Sequence, residues 1–289
     1  MFQQLGVIGC GLMGGSFALA LKRQGLVKRV VGYSKSPSTT ERAKRMGIID
    51  VAAESALLAV AGSDLVLIAV PVSATETTLR AIRNLVEPGM LVMDVGSTKR
   101  DVVDAARRVL KERVVHFVPA HPIAGKEASG IDHADAGLYA GRQVILTPLA
   151  QTPPELVQRA TDAWAAIGAQ VLKMSAENHD AAFAAVSHLP HLLAFAYFSA
   201  VARQPAGRDF LSLAGPGFRD FTRIAASDPT VWRDILLANR EEVIRQAQRF
   251  RHTLDAFEHV MRSGNAEALE DLIRSASDAR AQWQMNARR

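Results

Sequence analysis

Cysteine is nearly absent from this chain: Cys10 is the only one among 289 residues. That excludes an intramolecular disulfide and any metal centre built on several cysteines. Aromatic residues make up 6%, and no basic stripe with interleaved aromatics occurs. Arg107-Arg108 and the group Arg245, Arg249 and Arg251 alternate with acids. Nucleic acid is therefore not an expected partner. Excess charge is small, at +5, which fits a preference for small anionic molecules. No stretch of ~20 uninterrupted apolar residues reads as a membrane span. No charged leader with a signal-length apolar run precedes the first strand pattern, so the expected location is the cytoplasm, with no membrane partner. No lysine follows Lys173, so the C-terminal part has no lysine base to offer. What the chain does have is 48% hydrophobic and 22% charged residues, a globular composition with enough length for two domains.

The most informative stretch is Gly9-Cys10-Gly11-Leu12-Met13-Gly14. It follows the apolar run Leu5–Ile8 and opens an apolar helical stretch, the context a dinucleotide fingerprint needs. Gly9 serves the tight turn, Gly11 lets backbone approach a pyrophosphate, and Gly14 lets the helix pack on the strand. Leu12 and Met13 lie at the helix start, whose free N–H groups and partial positive charge suit phosphates. Cys10 fills a small position inside this turn. About 20 positions further on, an acidic residue would hold the ribose 2′-OH of NAD. Ser34 stands there, and Tyr33-Ser34-Lys35-Ser36 contains no carboxylate. With Lys35 and Arg42 adding positive charge, this loop favours NADP over NAD.

Along the first half, short apolar runs at Leu5–Ile8, Arg29–Tyr33, Leu65–Val70, Met90–Val95, Val114–Pro119 and Gln143–Leu146 alternate with helical stretches. Another strand is expected at Gln170–Met174, after a helix at Pro154–Ile167. This alternation predicts an α/β Rossmann-type doubly wound parallel sheet. From residue 175 the strand patterns vanish and helical periodicity takes over, with long helices at Ala182–Ala202 and Thr230–Arg251. The expected division is a dinucleotide-binding domain at 1–174 and an all-α domain at 175–289. The apolar helical part is expected to bury surface in a homodimer.

Ligands of open α/β sheets bind beyond the strand C-termini. Val70 and Pro71 fall there and are placed beside the nicotinamide. Ser97, in the turn Val95-Gly96-Ser97-Thr98-Lys99, and His121, in His121-Pro122-Ile123-Ala124-Gly125, fall there too. A neutral imidazole at His121 could take a hydroxyl proton during hydride transfer, although an isolated histidine is more often a packed structural residue. In Ser187-His188-Leu189-Pro190-His191, His188 and His191 share a helix face. Pro190 removes a backbone hydrogen bond and should kink that helix near Val186. Zinc would need a further ligand, for which Asp180 has suitable spacing. No water-activating motif stands beside the pair, and no metal is expected. In Gly215-Pro216-Gly217-Phe218-Arg219-Asp220-Phe221-Thr222-Arg223, two arginines are read near a helix start, where the dipole disfavours cations, which points to an anionic partner.

With these blocks in hand, the chain resembles the prephenate/arogenate dehydrogenases. The resemblance rests on Gly9–Ser16, Asp94-Val95-Gly96-Ser97-Thr98-Lys99, His121–Gly125, Ser187–His191, and Phe218–Ala225 with Asp228-Pro229 and Trp232. It runs in order along nearly the whole chain. It implies a Rossmann domain plus a helical dimerisation domain, and oxidative decarboxylation of prephenate with hydride transfer to NAD(P), or of arogenate to give tyrosine. It implies that His121 deprotonates the ring hydroxyl with help from Ser97, and that His191 and Arg223 contact substrate, with His188 beside them. Two other classes remain in view at this point. A β-hydroxyacid dehydrogenase would be expected to use a helix-borne lysine. A non-catalytic dinucleotide sensor would not need His121, His191 and Arg223 together.

Overall fold

The structure is a computed structural model that describes residues 1–126 and 128–284. Six strands, β1 (Phe2–Ile8), β2 (Val27–Tyr33), β3 (Val51–Ala52), β4 (Leu65–Ile68), β5 (Leu91–Asp94) and β6 (Phe117–Val118), form one sheet in the order β3-β2-β1-β4-β5-β6. Every pairing in it is parallel. Helices α1 (Leu12–Arg23), α2 (Pro37–Arg45), α3 (Ala56–Val60), α4 (Thr75–Ile82) and α5 (Arg100–Leu110) occupy the crossovers. Helices on both faces explain why β4 is an unbroken apolar run, with Leu65, Val66 and Leu67 all fully buried. The strand order reverses between β1 and β4, so the ligand crevice opens above the ends of those two strands.

After β5 the sequence reading needs correction. The run Val114–Pro119 is not one strand but a 3-10 turn, Lys111–His116, followed by the two-residue β6. Pro119 has no N–H for the ladder, and the chain leaves the sheet there. It enters β7 (Ala120–Pro122), which joins β8 (Gln143–Leu146) and β9 (Gln170–Lys173) in a separate three-stranded sheet. In that sheet β7 and β8 are antiparallel and β8 and β9 parallel, linked by α6 (Pro154–Ala166). The sheet is thus doubly wound through β6 only, and His121 sits on the first strand of the second sheet.

The remaining elements are helical: α7 (Ala176–Phe183), a π-helical turn (Ala184–His188), α8 (Leu189–Ala202), α9 (Gly207–Ser212), α10 (Pro216–Thr222), a 3-10 turn (Arg223–Ala226), α11 (Pro229–Ala238), α12 (Arg240–Ser263) and α13 (Ala266–Gln282). The distortion expected from Pro190 is present as the π turn. Without an N–H at 190 the preceding carbonyl shifts partner, and the helix gains a residue in that turn. The helix predicted as Thr230–Arg251 is interrupted at Asn239, whose side chain is needed elsewhere, as described below. The two arginines are also not where the sequence put them. Arg219 lies in the last turn of α10 and Arg223 is its C-cap, where the 3-10 turn begins, so the α10 dipole does not oppose them.

The chain forms two compact units, Met1–Arg240 and Glu241–Arg289. In the first, α7 is stitched to the sheet region by Asp180, whose carboxylate accepts the backbone N–H groups of Lys99 at 2.8 Å and Arg100 at 3.0 Å. In the second, Gly264 turns the chain between α12 and α13, and the Asn265 side chain caps α13 by accepting from Ala268 N–H at 3.0 Å. One helical run, Ala176–Ala202, is long and apolar enough by length and composition to cross a membrane, with mean hydropathy 1.4. It also carries His179, Asp180 and His188, all buried and all hydrogen-bonded within the protein.

Candidate active site

The glycine turn builds a cradle of the right shape for a pyrophosphate. Gly9 has φ 100°, and a Cβ there would lie 2.2 Å from the Ala69 carbonyl oxygen. A Cβ on Gly14 would meet the Gly9 carbonyl oxygen at 2.2 Å. Neither position tolerates a side chain. Beside Gly11 the space is open, and no side chain caps the start of α1. Its first-turn N–H groups are left for an anion. A cavity of about 360 Å³ lies above this turn, bounded by Gly11, Leu12, Met13, Val70, Pro71 and Ser97, among others.

At the end of β2 the Ser34 hydroxyl accepts the Cys10 N–H at 2.8 Å, so it braces the glycine turn. Lys35 and Ser36 are exposed, and the Ser36 hydroxyl lies 2.8 Å from that of Ser38. These three residues lie outside the cavity's lining. Arg42 forms an ion pair with Asp132. Burial pushes the Cys10 thiol up to about 11, which leaves it unreactive.

A second cavity, of about 600 Å³, adjoins the first, and Ser97 and Ile235 line both. His121, His188, His191, Arg223 and Ser97 all line it. The structure therefore brings together every residue the sequence proposed for catalysis and substrate contact. Arg142 and Trp232 line it as well. Among the described lining residues there are two arginines and no carboxylate, so the cavity attracts anions.

Each histidine has a distinct hydrogen-bond environment. His191 donates from Nδ1 to the Ser187 carbonyl at 2.9 Å and stacks on Trp232 with centroids 3.5 Å apart. Burial, joined by the Arg223 charge, lowers its pKa. His188 accepts at Nδ1 from the Asn239 side-chain amide at 3.1 Å, and burial holds it down at about 4. The same amide, at the residue where α11 ends, donates to the Asp180 carbonyl at 2.8 Å. His121 has Nδ1 2.8 Å from Nε2 of His179, and His179 has Nδ1 2.7 Å from the Asp180 carboxylate. Burial above all, then the neighbouring His179, Lys99 and His188, hold His121 well below the ordinary histidine value. It is neutral near pH 7 and can accept a proton.

Four of these participants were not legible as such. Lys99 reads in the sequence only as part of a turn; its Nζ is bonded to Asp94 at 2.5 Å and to the Ala120 carbonyl at 2.8 Å. Asp180 was weighed only as a metal ligand, whereas it anchors His179 and the start of α5. Among the described residues no three metal-ligating side chains converge. His179 and Arg142 carried no motif. The one available signal was His179-Asp180 as a dyad at the start of an apolar helix.

A turn shaped for pyrophosphate, at the switch point of a parallel sheet and next to a cationic cavity with a neutral histidine, defines a dehydrogenase of the nicotinamide-dinucleotide class. Family models described as "Prephenate dehydrogenase, nucleotide-binding domain" and "Prephenate dehydrogenase, dimerization domain" match residues 17–173 and 175–275. The chain is 35% identical to a prephenate dehydrogenase of Bacillus subtilis, over 94% of this chain and 74% of that one. It is 32% identical to a cyclohexadienyl dehydrogenase of Zymomonas mobilis, over 97% and 96%. The crystal structure of prephenate dehydrogenase from A. aeolicus in complex with hydroxyphenyl propionate and NAD+ superposes with a TM-score of 0.91, at 34% identity, covering 98% of each chain. The chain belongs to the prephenate dehydrogenase family.

Proposed function

We propose that this enzyme oxidises and decarboxylates prephenate to 4-hydroxyphenylpyruvate, with the ring in the 600 Å³ cavity and the nicotinamide in the adjoining one. The observation that carries this reading is the shared wall. Ser97 borders both cavities, and His121 faces the cationic one. A substrate with two carboxylates fits a chamber holding Arg223 and Arg142.

His121 takes the proton of the ring hydroxyl, and the Ser97 hydroxyl positions that oxygen. A bound nicotinamide would supply the acceptor for the hydride on the carbon bearing that hydroxyl. Loss of CO2 then makes the ring aromatic and leaves the electron pair on the same oxygen, which takes its proton back from His121. Arg223 holds one carboxylate bidentately. His191, flattened against Trp232, presents Nε2 to the chamber, and His188 closes its wall. The chain's main contribution is orientation and a proton acceptor kept ready.

Gly9, Gly11, Leu12, Met13 and Gly14 would hold the pyrophosphate, and Val70 and Pro71 the nicotinamide. The absence of a carboxylate at Ser34, with Lys35 and Ser36 beside it, favours NADP over NAD. The exposed apolar side chains of α8 to α10, including Tyr197, Phe198, Phe210, Leu213 and Phe221, are read as a homodimer face. That covering, rather than a membrane, accounts for the apolar run Ala176–Ala202. The reading keeps the enzyme in the cytoplasm.

Steady-state assays with prephenate and arogenate, each with NAD and NADP, test this. The expected result is reduced cofactor and 4-hydroxyphenylpyruvate from prephenate. Turnover of arogenate alone would assign the enzyme to tyrosine formation instead, and turnover of neither would refute the reading.

A further inference from the structure

Behind His121, facing away from the substrate chamber, runs a line of three side chains. His121 Nδ1 is 2.8 Å from His179 Nε2, and His179 Nδ1 is 2.7 Å from Asp180 Oδ1. His179 and Asp180 are 0% and 1% exposed. Phe183 covers both rings, stacked on His179 at 4.5 Å and tilted against His121 at 4.8 Å. Water is kept from the line.

The line fixes every proton in it. Asp180 accepts the N–H groups of Lys99 and Arg100, and its carboxyl is held below the ordinary value by hydrogen bonds from His179 and those backbone groups, against burial. An ionised carboxylate only accepts. His179 must therefore carry its proton on Nδ1 and donate it. Neutral His179 then has a bare Nε2, which only accepts. His121 must in turn carry its proton on Nδ1. Its Nε2 is left as a lone pair for the chamber, the form a base requires.

Resting on the functional reading above, we infer that His179 and Asp180 are positioning residues for the reaction: Asp180 sets the tautomer of both rings, and His179 takes up the Nδ1 proton of His121 while His121 Nε2 keeps the proton from the substrate hydroxyl. In the transfer, the substrate O–H bond breaks and an N–H bond forms at His121 Nε2. The His121 Nδ1–H bond then breaks and one forms at His179 Nε2. His121 returns to neutral, and His179 becomes an imidazolium beside the Asp180 carboxylate. When decarboxylation leaves a phenolate, both steps reverse and the oxygen regains its proton. No proton is gained or lost overall, which matches the loss of one hydride and one CO2 from prephenate.

The charges around the line favour this direction. Burial above all, then His179, Lys99 (held by Asp94) and His188, oppose a lasting cation on His121. Burial above all, with the same Lys99, lowers the His179 pKa, while the Asp180 hydrogen bond and the Asp180 and Asp94 charges act the other way and favour a cation there. Asp101, on α5, faces Asp180, and burial raises its pKa.

Nitrogen-15 NMR of the histidines in the wild-type protein, without cofactor or substrate, reads the tautomers directly. His121→Asn assigns the His121 signals. The expected result at neutral pH is His121 protonated on Nδ1 and bare at Nε2; a proton on Nε2 overturns the inference. For kinetics, Asp180→Asn should lower kcat about 10²–10⁴-fold, because an amide donor lets both rings adopt the wrong tautomer. KM and cofactor affinity should hold. His179→Phe keeps the ring and the stack on Phe183, so it tests the line should Asp180→Asn fail to fold. It should lower kcat and shift the acid limb of the kcat profile, since His121 Nδ1 loses the ring nitrogen it faces. A folded His179→Phe enzyme with wild-type kcat and an unmoved profile overturns the inference. Should wild type fail to turn over prephenate, the functional reading falls, and the NMR result still decides the tautomers.

Discussion

Lys99 and Asp94 form an ion pair at 2.5 Å with side chains 0% and 2% exposed. The pair brackets Ala120: Lys99 Nζ donates to its carbonyl at 2.8 Å, and Asp94 accepts its N–H at 3.0 Å. The last residue of β5 and a residue of the turn after it thus clamp the backbone immediately before His121. Removing one partner strands the other as a buried charge. Lys99→Met should cost about 3–5 kcal/mol of stability, read as a lower denaturation midpoint. Asp94→Asn combined with Lys99→Met should recover part of that. A Lys99→Met protein as stable as wild type would show the clamp to be dispensable.

Arg223 lines the substrate chamber beside His191. Losing a charge-assisted contact costs ~1.5–3 kcal/mol, so Arg223→Ala should raise KM for prephenate roughly ten- to a hundredfold. Cofactor affinity should hold. Arg223→Lys should restore only part, because an ammonium cannot reproduce the planar fork. An unchanged KM would move the carboxylate contact to Arg142.

Stability should fall on acidification. The folded His188 has its pKa near 4, against 6.5 for an ordinary histidine. Above 6.5 both folded and unfolded chains hold it neutral, and its full contribution is present. As pH drops from 6.5 towards 4, the unfolded chain takes up a proton that the folded one refuses. That differential is on the order of 3 kcal/mol for His188 alone. His121, His179 and His191 are shifted in the same direction. Thermal melts should show Tm declining from pH 7 to pH 5, with a shallower slope in His188→Asn. A flat Tm over that range would contradict the burial of these rings.

Ser34 braces the glycine turn from the end of β2. Ser34→Asp places a carboxylate where a 2′-phosphate would sit, so it should weaken NADP and improve NAD in kcat/KM. If wild type already prefers NAD, the charge argument for NADP is wrong.

Much of the site was legible because its parts are local. Glycine spacing, the turn at Ser97, the His121-Pro122 strand and the proline between His188 and His191 are each visible within a few residues. Strands β1, β2, β4 and β5 were legible for the same reason, as alternating apolar runs, whereas the two-residue edge strand β3 was too short to show one. Pairings distant in sequence were not. His121 meets His179 only because β7 leaves the first sheet at Pro119 and α7 is tied to α5 by Asp180. Arg142 reaches the chamber only because β8 pairs with β7. Asn239 reads as an ordinary position in a long helix, and its bonds to Asp180 and His188 join elements far apart in sequence.

The central claim is that His121 is the base in prephenate oxidation. The direct measurement is prephenate turnover by His121→Asn, with cofactor affinity measured on the same protein. Expected are a kcat lower by about 10²–10⁴-fold, cofactor affinity near wild type, and loss of the acid limb in the kcat profile. A folded His121→Asn enzyme that keeps near wild-type kcat would contradict it.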